Sequence, residues 1–154
     1  MTISKMVPFL CCSNATAAIE FYQAVFAAEV KLLLQAPDGR VGHCELSIGA
    51  LELMLSDEWP EFGMSGPTGD QIAASSIHLM VDDADALVEL AVANGASVLF
   101  PLEDQFYGER SGRICDPFGH EWLIGQFLEE VQPNEMQSRF NQMMAALTET
   151  DEAE

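Results

Sequence analysis

One order of predicted elements occurs twice along this chain, and that repeat restricts the possible folds more than any other feature. Residues 6–12 are apolar and predict a short strand, and Asn14 can cap the helix that follows it. Three predicted strands complete the first copy, and the order of strand, helix and three strands restarts at Ser76. Such an internal repeat predicts two similar modules, which bury their apolar faces by sharing a core.

Turn and cap residues set the expected ends of several elements. Gly49-Ala50 is a two-residue turn between two strands, and Asp82 with Asp85 opens the second helix in the manner of a capping box. Ala27 follows the first helix, where a left-handed residue other than glycine costs about 1 kcal/mol or more. We therefore expect the chain to leave that helix in another conformation.

The segment Asp116-Pro117-Phe118-Gly119 lies between two apolar runs and predicts a β-hairpin. The Asp caps the turn, the Pro presets its φ angle, and the Gly takes the left-handed position that closes a three-residue loop with a G1 bulge. This register places Cys115 opposite Glu121, and Arg113 opposite Leu123. These four residues then share one face of the hairpin, and the other face carries Ile114, His120, Trp122 and Ile124.

Shifts in composition divide the chain into five predicted parts. The first module covers residues 1–57, a Gly- and Pro-rich linker loop covers 58–75, and the second module covers 76–128. A C-terminal helix with Met and Phe on one side is predicted in the part 129–147. The acidic tail 148–154 is predicted to be disordered.

The composition restricts the partners and the location of the protein. The 154 residues include 25 Asp and Glu against 6 Lys and Arg, so the net charge is −19, which argues against nucleic acid and anionic membranes as partners. No run approaches the roughly 20 apolar residues of a membrane span, and residues 1–10 lack the apolar core of a signal peptide. The four cysteines show no CxxC spacing and are expected to be reduced thiols. We expect a soluble, cytoplasmic protein.

Three motifs give the chain a resemblance to a known superfamily. They are Ala18-Ile19-Glu20-Phe21-Tyr22, Val81-Asp82-Asp83 and Asp116-Pro117-Phe118-Gly119-His120. Together they resemble the vicinal oxygen chelate superfamily, which includes glyoxalase I, bleomycin-resistance proteins and extradiol dioxygenases. With Gln105-Phe106-Tyr107-Gly108 and the terminal helix, the chain is most similar to a short glyoxalase-like branch. The resemblance implies an α+β fold of paired βαβββ modules that form an open, cup-shaped mixed sheet, often completed in a homodimer.

The resemblance also places the four positions from which the superfamily's metalloenzymes take their ligands. They correspond to Val7, Met54, Ser76 and Leu123, and the pairs 7 and 76 and 54 and 123 are both 69 residues apart. Val, Met and Leu here offer no ligand for the usual divalent metals, and a lone Ser is a poor one. We therefore expect no metal or other cofactor at the usual centre, and neither glyoxalase I nor ring-cleaving dioxygenase activity.

The alternation of side chains along the strands predicts which residues face the cup. Polar and aromatic groups on otherwise apolar strands, or in loops that would rim the cup, predict a small-molecule site. These candidate ligand-binding residues are Phe9, His43, Glu45, Met54, Trp59, Ser76, His78, Phe106, Tyr107, Arg113 and Glu121.

The sequence leaves two interpretations open for each polar candidate. His43 and Glu45 either pair with each other on a half-exposed strand or contact a ligand. His78 is either a satisfied core histidine or a binding group. Arg113 either closes the cup in an ion pair with Glu121 or Glu45, or clamps a carboxylate or phosphate, which its fork binds through two bonds.

Two functions from different classes fit these features. The first is a metal-free homodimer that sequesters a planar or aromatic compound, as the bleomycin-resistance members of the superfamily do. The alternative is a glyoxalase-like lyase or isomerase, or another enzyme that uses His43, Glu45 and His78 for acid–base chemistry or as a shifted metal set. The sequence identifies neither the ligand nor a catalytic residue.

Overall fold

The structure is a computed structural model that describes residues 1–151 of the chain. The first module consists of β1 (Phe9–Cys12), α1 (Ala15–Phe26), β2 (Glu29–Gln35), β3 (Val41–Ile48) and β4 (Leu51–Asp57). The second module consists of β5 (Ser76–Met80), α2 (Ala84–Ala93), β6 (Ser97–Asp104), β7 (Glu109–Cys115) and β8 (Glu121–Phe127). A short 3-10 turn (Pro60–Phe62) lies between the modules, and α3 (Pro133–Asp151) follows the second one.

The strands form two separate four-stranded mixed sheets with the same topology. Their orders are β1-β4-β3-β2 and β5-β8-β7-β6, and in each sheet the first strand runs parallel to the last. Phe9 pairs with Met54 and His78 pairs with Leu123, so the predicted 69-residue spacing relates equivalent pairs of the two sheets. The predicted α+β fold of paired βαβββ modules with an extra C-terminal helix is confirmed.

The register of the last hairpin is as predicted. Arg113 pairs with Leu123 and Cys115 with Glu121. The Asp116 amide donates to the His120 carbonyl at 2.9 Å, and Gly119 closes the turn with a φ of 87°. Glycine is also required there for space, because a Cβ atom would lie 2.5 Å from the Cβ of Pro67 in the linker loop.

Each sheet buries one face against the helices and leaves the other face open. The buried faces supply one core that spans both modules, with Leu46 and Leu55 from the first sheet and Ile114 and Trp122 from the second. Aromatic rings of α1 pack on the second module: the Phe26 and Trp122 ring centroids are 4.7 Å apart. The two modules therefore share a core. The strand side chains that point away from this core lie on the open faces of the two sheets.

One buried carboxylate, that of Asp116, joins the two modules. Its Oδ2 accepts hydrogen bonds from the Tyr22 hydroxyl at 2.7 Å and from Trp122 Nε1 at 2.9 Å. Its Oδ1 accepts from the amides of Phe118 and His120 at 2.9 and 3.0 Å. Burial, followed by the charge of Asp116, raises the pKa of the Tyr22 hydroxyl, which therefore remains a donor.

Two expectations about helix ends were wrong. Ala27 does adopt the left-handed conformation after α1, with φ 52° and ψ 37°, and the next amide donates to the Tyr22 carbonyl at 3.2 Å. The packing of the α1 aromatic residues fixes this exit despite its local cost. The cap of α2 is Asp83, whose side chain accepts from the Ala86 amide, and not Asp82.

The end of α3 also differs from the prediction. The helix was expected to end at residue 147 and to be followed by a disordered tail, but it continues to Asp151. Residues 152–154 lie outside the described part of the chain, and the disorder of the tail stays a prediction. None of the helices within residues 1–151 is long and apolar enough to cross a membrane.

The Asp116 network predicts a large effect of a nearly isosteric substitution. In Asp116→Asn, either orientation of the amide turns its N–H groups toward two buried donors, because each carboxylate oxygen accepts two hydrogen bonds. We expect the free energy of unfolding, measured by urea titration, to fall by about 1–3 kcal/mol. Tyr22→Phe removes a single bond and should cost about 0.5–1.5 kcal/mol. Equal stability of Asp116→Asn and the natural protein would contradict this role.

Candidate functional site

The open face of the first sheet carries a histidine–carboxylate pair beside an aromatic ring. His43 Nε2 lies 3.2 Å from Glu45 Oε1, and both side chains are partly buried. The Phe9 ring is stacked beside the imidazole, with ring centroids 6.2 Å apart. Of the two interpretations of His43 and Glu45, the structure therefore contains the mutual pair.

The open face of the second sheet carries a pocket around Arg113. Its guanidinium lies 3.7 Å above the centroid of the Phe100 ring, and its Nη1 is 3.5 Å from Glu121 Oε1. The ion pair predicted as one alternative is thus formed with Glu121 and not with Glu45. The cavity has a volume of about 270 Å³ and is lined by Phe100, Pro101, Glu103, Gln105, Tyr107, Ser111, Gly112, Arg113 and Leu123.

The candidate residues are divided between the two sheets and the loops beside them. Phe9, His43, Glu45 and Met54 belong to the first module, Trp59 lies in the linker loop, and the other six candidates belong to the second module. Within residues 1–151, no hydrogen bond, ion pair or ring contact joins one set to the other. The two sets therefore make no direct contact with each other within the described part of one chain, and their meeting on one concave surface stays a prediction.

Two of the three loop aromatics are covered by side chains of this chain. The Arg40 guanidinium lies 3.7 Å above the Trp59 ring, and Trp59 Nε1 donates to the Val41 carbonyl at 3.3 Å. Phe106 packs against Phe140 of α3, with ring centroids 5.6 Å apart. Only Tyr107 of the three lines the pocket around Arg113.

The proposed shifted metal set is not assembled in one chain. His78 is exposed and is not a core histidine, and its Nε2 lies 3.6 Å from Glu109 Oε2 and not beside His43. Among the described residues, no group of three or more His, Cys, Asp or Glu side chains is close enough to hold a metal ion. Ser76 is exposed at the start of β5, where it pairs with Glu121.

Sequence reasoning missed Glu109, Phe100 and Gln105. Glu109 is the first residue of β7 and shares a face with Ser111 and Arg113. The alternation of polar residues at 109, 111 and 113 is the signal that could have revealed it. Phe100 pairs with Arg113 across β6 and β7, and its ring is 55% exposed on the open face.

A larger cavity, of about 580 Å³, lies between β1 and the linker loop. It includes Cys11, Gly66 and His120, and His120 Nε2 lies 3.1 Å from the Cys11 carbonyl. Burial, and then the charges of Glu58 and Asp57, raise the pKa of the Cys11 thiol. The pKa values of Cys12, Cys44 and Cys115 are raised as well, chiefly by burial. The thiols of this region are therefore poor nucleophiles.

The family follows from the paired modules and from a direct match. Residues 3–124 match the model of the Glyoxalase/Bleomycin resistance protein/Dioxygenase superfamily. The chain belongs to that superfamily.

Relatives and solved structures agree with this membership. An uncharacterized protein of Mycobacterium bovis is 38% identical over 134 residues, which cover 85% of this chain and 88% of the relative. A Pseudomonas aeruginosa protein of known structure is 25% identical, with a TM-score of 0.66 over 82% of this chain and 100% of that one. A fosfomycin resistance protein from Listeria monocytogenes shares the fold at 16% identity, with a TM-score of 0.64 over 88% and 99% of the two chains.

The exposure of the thiols predicts their reactivity. Cys11 is partly exposed, whereas Cys12, Cys44 and Cys115 are buried. At about pH 8, where an ordinary thiol is near its pKa, Ellman's reagent should modify one thiol per native chain, and more slowly than free cysteine. The raised pKa of Cys11 lowers its thiolate fraction and causes the slow rate. Cys11→Ser should abolish the native reaction, and urea should expose the other three thiols. Fast modification of two or more native thiols would contradict the burial described.

Proposed function

We propose that this protein binds a planar or aromatic small molecule with an anionic or carbonyl group, in the pocket around Arg113, without a metal at the four superfamily positions. The observation that carries the proposal is the stacking of the Arg113 guanidinium on Phe100 inside that pocket. Apolar lining with a few convergent polar groups is typical of small-molecule sites. Sequestration of such a compound, as in bleomycin resistance, is the biological role that we favour.

The arrangement of Arg113 supports recognition of a flat, acidic group. The guanidinium is held by the Phe100 ring on one side and by Glu121 at 3.5 Å, so its direction is set before a ligand arrives. Arg113 is 38% exposed at its side chain, which leaves donors free for a ligand. Gln105 and Tyr107 add polar atoms to the pocket, and Leu123 adds an apolar floor.

We also propose that the site is completed in a homodimer. Leu32 pairs with Glu45 and Leu34 with His43, so both leucines lie on the open face of the first sheet, where they are 39% and 53% exposed. Phe100 occupies the corresponding open face of the second sheet. Exposed apolar faces of this kind favour a partner. A second copy whose second sheet covers this first sheet would unite both sets of candidate residues.

A cytoplasmic location remains part of the proposal. The four cysteines form no disulfide among the described residues, as is typical of proteins in a reducing compartment.

The Arg113 pocket can be tested with 2-naphthoate, a flat aromatic carboxylate, in calorimetric titrations. Arg113→Ala should weaken binding by about 1.5–3 kcal/mol, the scale of a hydrogen bond to a charged group, or roughly 10- to 150-fold in Kd. Arg40→Ala is the matched control, because Arg40 also lies 3.7 Å above an aromatic ring but outside this pocket. Equal loss in both variants, or in neither, would refute the assigned site.

A separate incubation distinguishes binding from catalysis. Bleomycin, the compound that gives the superfamily part of its name, should be recovered unchanged after incubation with the protein. Conversion of bleomycin to a new product would favour the enzyme alternative.

The proposed dimer predicts the molecular mass in solution and the effect of a charged substitution on the open face of the first sheet. Light scattering at micromolar concentration should give twice the 16.8 kDa of one chain. Leu34→Glu should shift the equilibrium toward monomers, because it places a charge on the open face of the first sheet. Leu51→Glu is the control, since Leu51 is exposed to a similar degree, at 58% against 53% for Leu34, but lies beside a turn on the other face. A monomer of the natural chain under these conditions would disprove the dimer.

A further inference from the structure

Three side chains with different donor atoms converge above Gly125 on the open face of the second sheet. A Cβ atom at residue 125 would lie 2.7 Å from His78 Nε2, 2.8 Å from Met80 Sδ and 3.0 Å from Glu109 Oε2. Met80 pairs directly with Gly125, and β7, which begins at Glu109, lies on the other side of β8. Because all three atoms are so close to one point, no two of them are more than about 6 Å apart. Glycine leaves open the space that they share.

The carboxylate of this group lacks a partner. Within the described part of the chain, Glu109 Oε2 is the one buried side-chain nitrogen or oxygen without a hydrogen bond. The nearest basic atom is His78 Nε2 at 3.6 Å, which is longer than a hydrogen bond. A buried carboxylate oxygen without a partner costs free energy, so a positive group that bound there would lower this cost.

We propose that His78, Met80 and Glu109 bind a single copper(I) ion. Metal–nitrogen bonds of about 2 Å allow one ion to bridge donors that are 3.6 Å apart. Thioether sulfur selects copper(I), and imidazole is a good copper ligand. Calcium and magnesium are disfavoured, because they take six or more ligands, nearly all of them oxygen.

The surroundings of the three donors also suit a soft cation. His78 and Met80 are both exposed, so an ion reaches them directly from solvent. The unbranched Met80 side chain has three rotatable bonds and can adjust its sulfur to the ion. The net charge of −19 attracts cations to the protein. None of these three residues occupies the superfamily's ligand positions at 7, 54, 76 and 123, and the site does not depend on the proposed aromatic ligand.

Competition between the reduced protein and the copper(I) chelator bicinchoninate tests the site. The natural chain should bind one copper(I) per subunit, with one sulfur and lighter atoms as neighbours in X-ray absorption spectra. His78→Gln, Met80→Leu and Glu109→Gln should each weaken binding at least about tenfold, the smallest loss expected even for residues that only support a ligand. Met144→Leu and Glu89→Gln replace the same residue types at exposed positions on α3 and α2 and should leave the affinity unchanged.

Two further variants make the result decisive. Gly125→Ala should also lower the affinity at least about tenfold, because its methyl group occupies the shared space, while urea titration should show that the protein still folds. Cys11→Ser should bind copper like the natural chain. Unchanged affinity in the three ligand variants, or loss of copper in Cys11→Ser or His43→Gln and not in His78→Gln, would overturn the proposal.

Discussion

The buried carboxylate of Asp116 is the interaction on which the rest of the structure depends. It fixes the turn of the last hairpin through two amides, holds the indole of Trp122, and receives the hydroxyl of Tyr22 from the other module. A buried charge requires such full satisfaction. Because Tyr22 lies in α1, this single group fixes how the first helix sits on the second sheet. The positions of both open faces follow from that contact.

Polar side chains on the open faces of the two sheets are paired before any ligand binds. Two polar groups on them already have partners from their own modules: His43 has Glu45, and Arg113 has Glu121 and the Phe100 ring. Such pairing holds the side chains in fixed directions without a ligand, which reduces the ordering cost of binding. Glu109 is the exception, since one of its oxygens is buried without a partner. The faces therefore combine prepared recognition groups with one unsatisfied acceptor.

Residues close together in the sequence were enough to predict the hairpin register, the two similar sheets and the face of β7 that carries Arg113. The hairpin register followed from Asp-Pro-Phe-Gly, because Pro and Gly restrict the backbone wherever they occur. The repeat predicted two like sheets, and alternation predicted which side of β7 and β8 carries Arg113. Contacts between distant segments could not be derived in this way. The contact between His78 and Glu109 was missed because it joins β5 to the start of β7, which are far apart in the sequence. The relative position of the two open faces likewise depends on how the modules pack. Ala27 also could not be predicted from local chemistry. It adopts a left-handed conformation that is unfavourable for alanine, because tertiary packing outweighs the local backbone preference.

The bond between Tyr22 and Asp116 joins residues that are 94 positions apart in the chain. On the ribosome, Tyr22 therefore emerges well before its acceptor exists. At synthesis rates of about 5–20 residues per second, the interval is roughly 5–20 s. During that time the aromatic side of α1 has no second sheet to cover it, and a nascent first module exposes Phe21, Tyr22 and Phe26 to other chains. Because the first module is synthesised before the second, there is an interval in which the nascent chain depends on chaperones or on dilution to avoid aggregation.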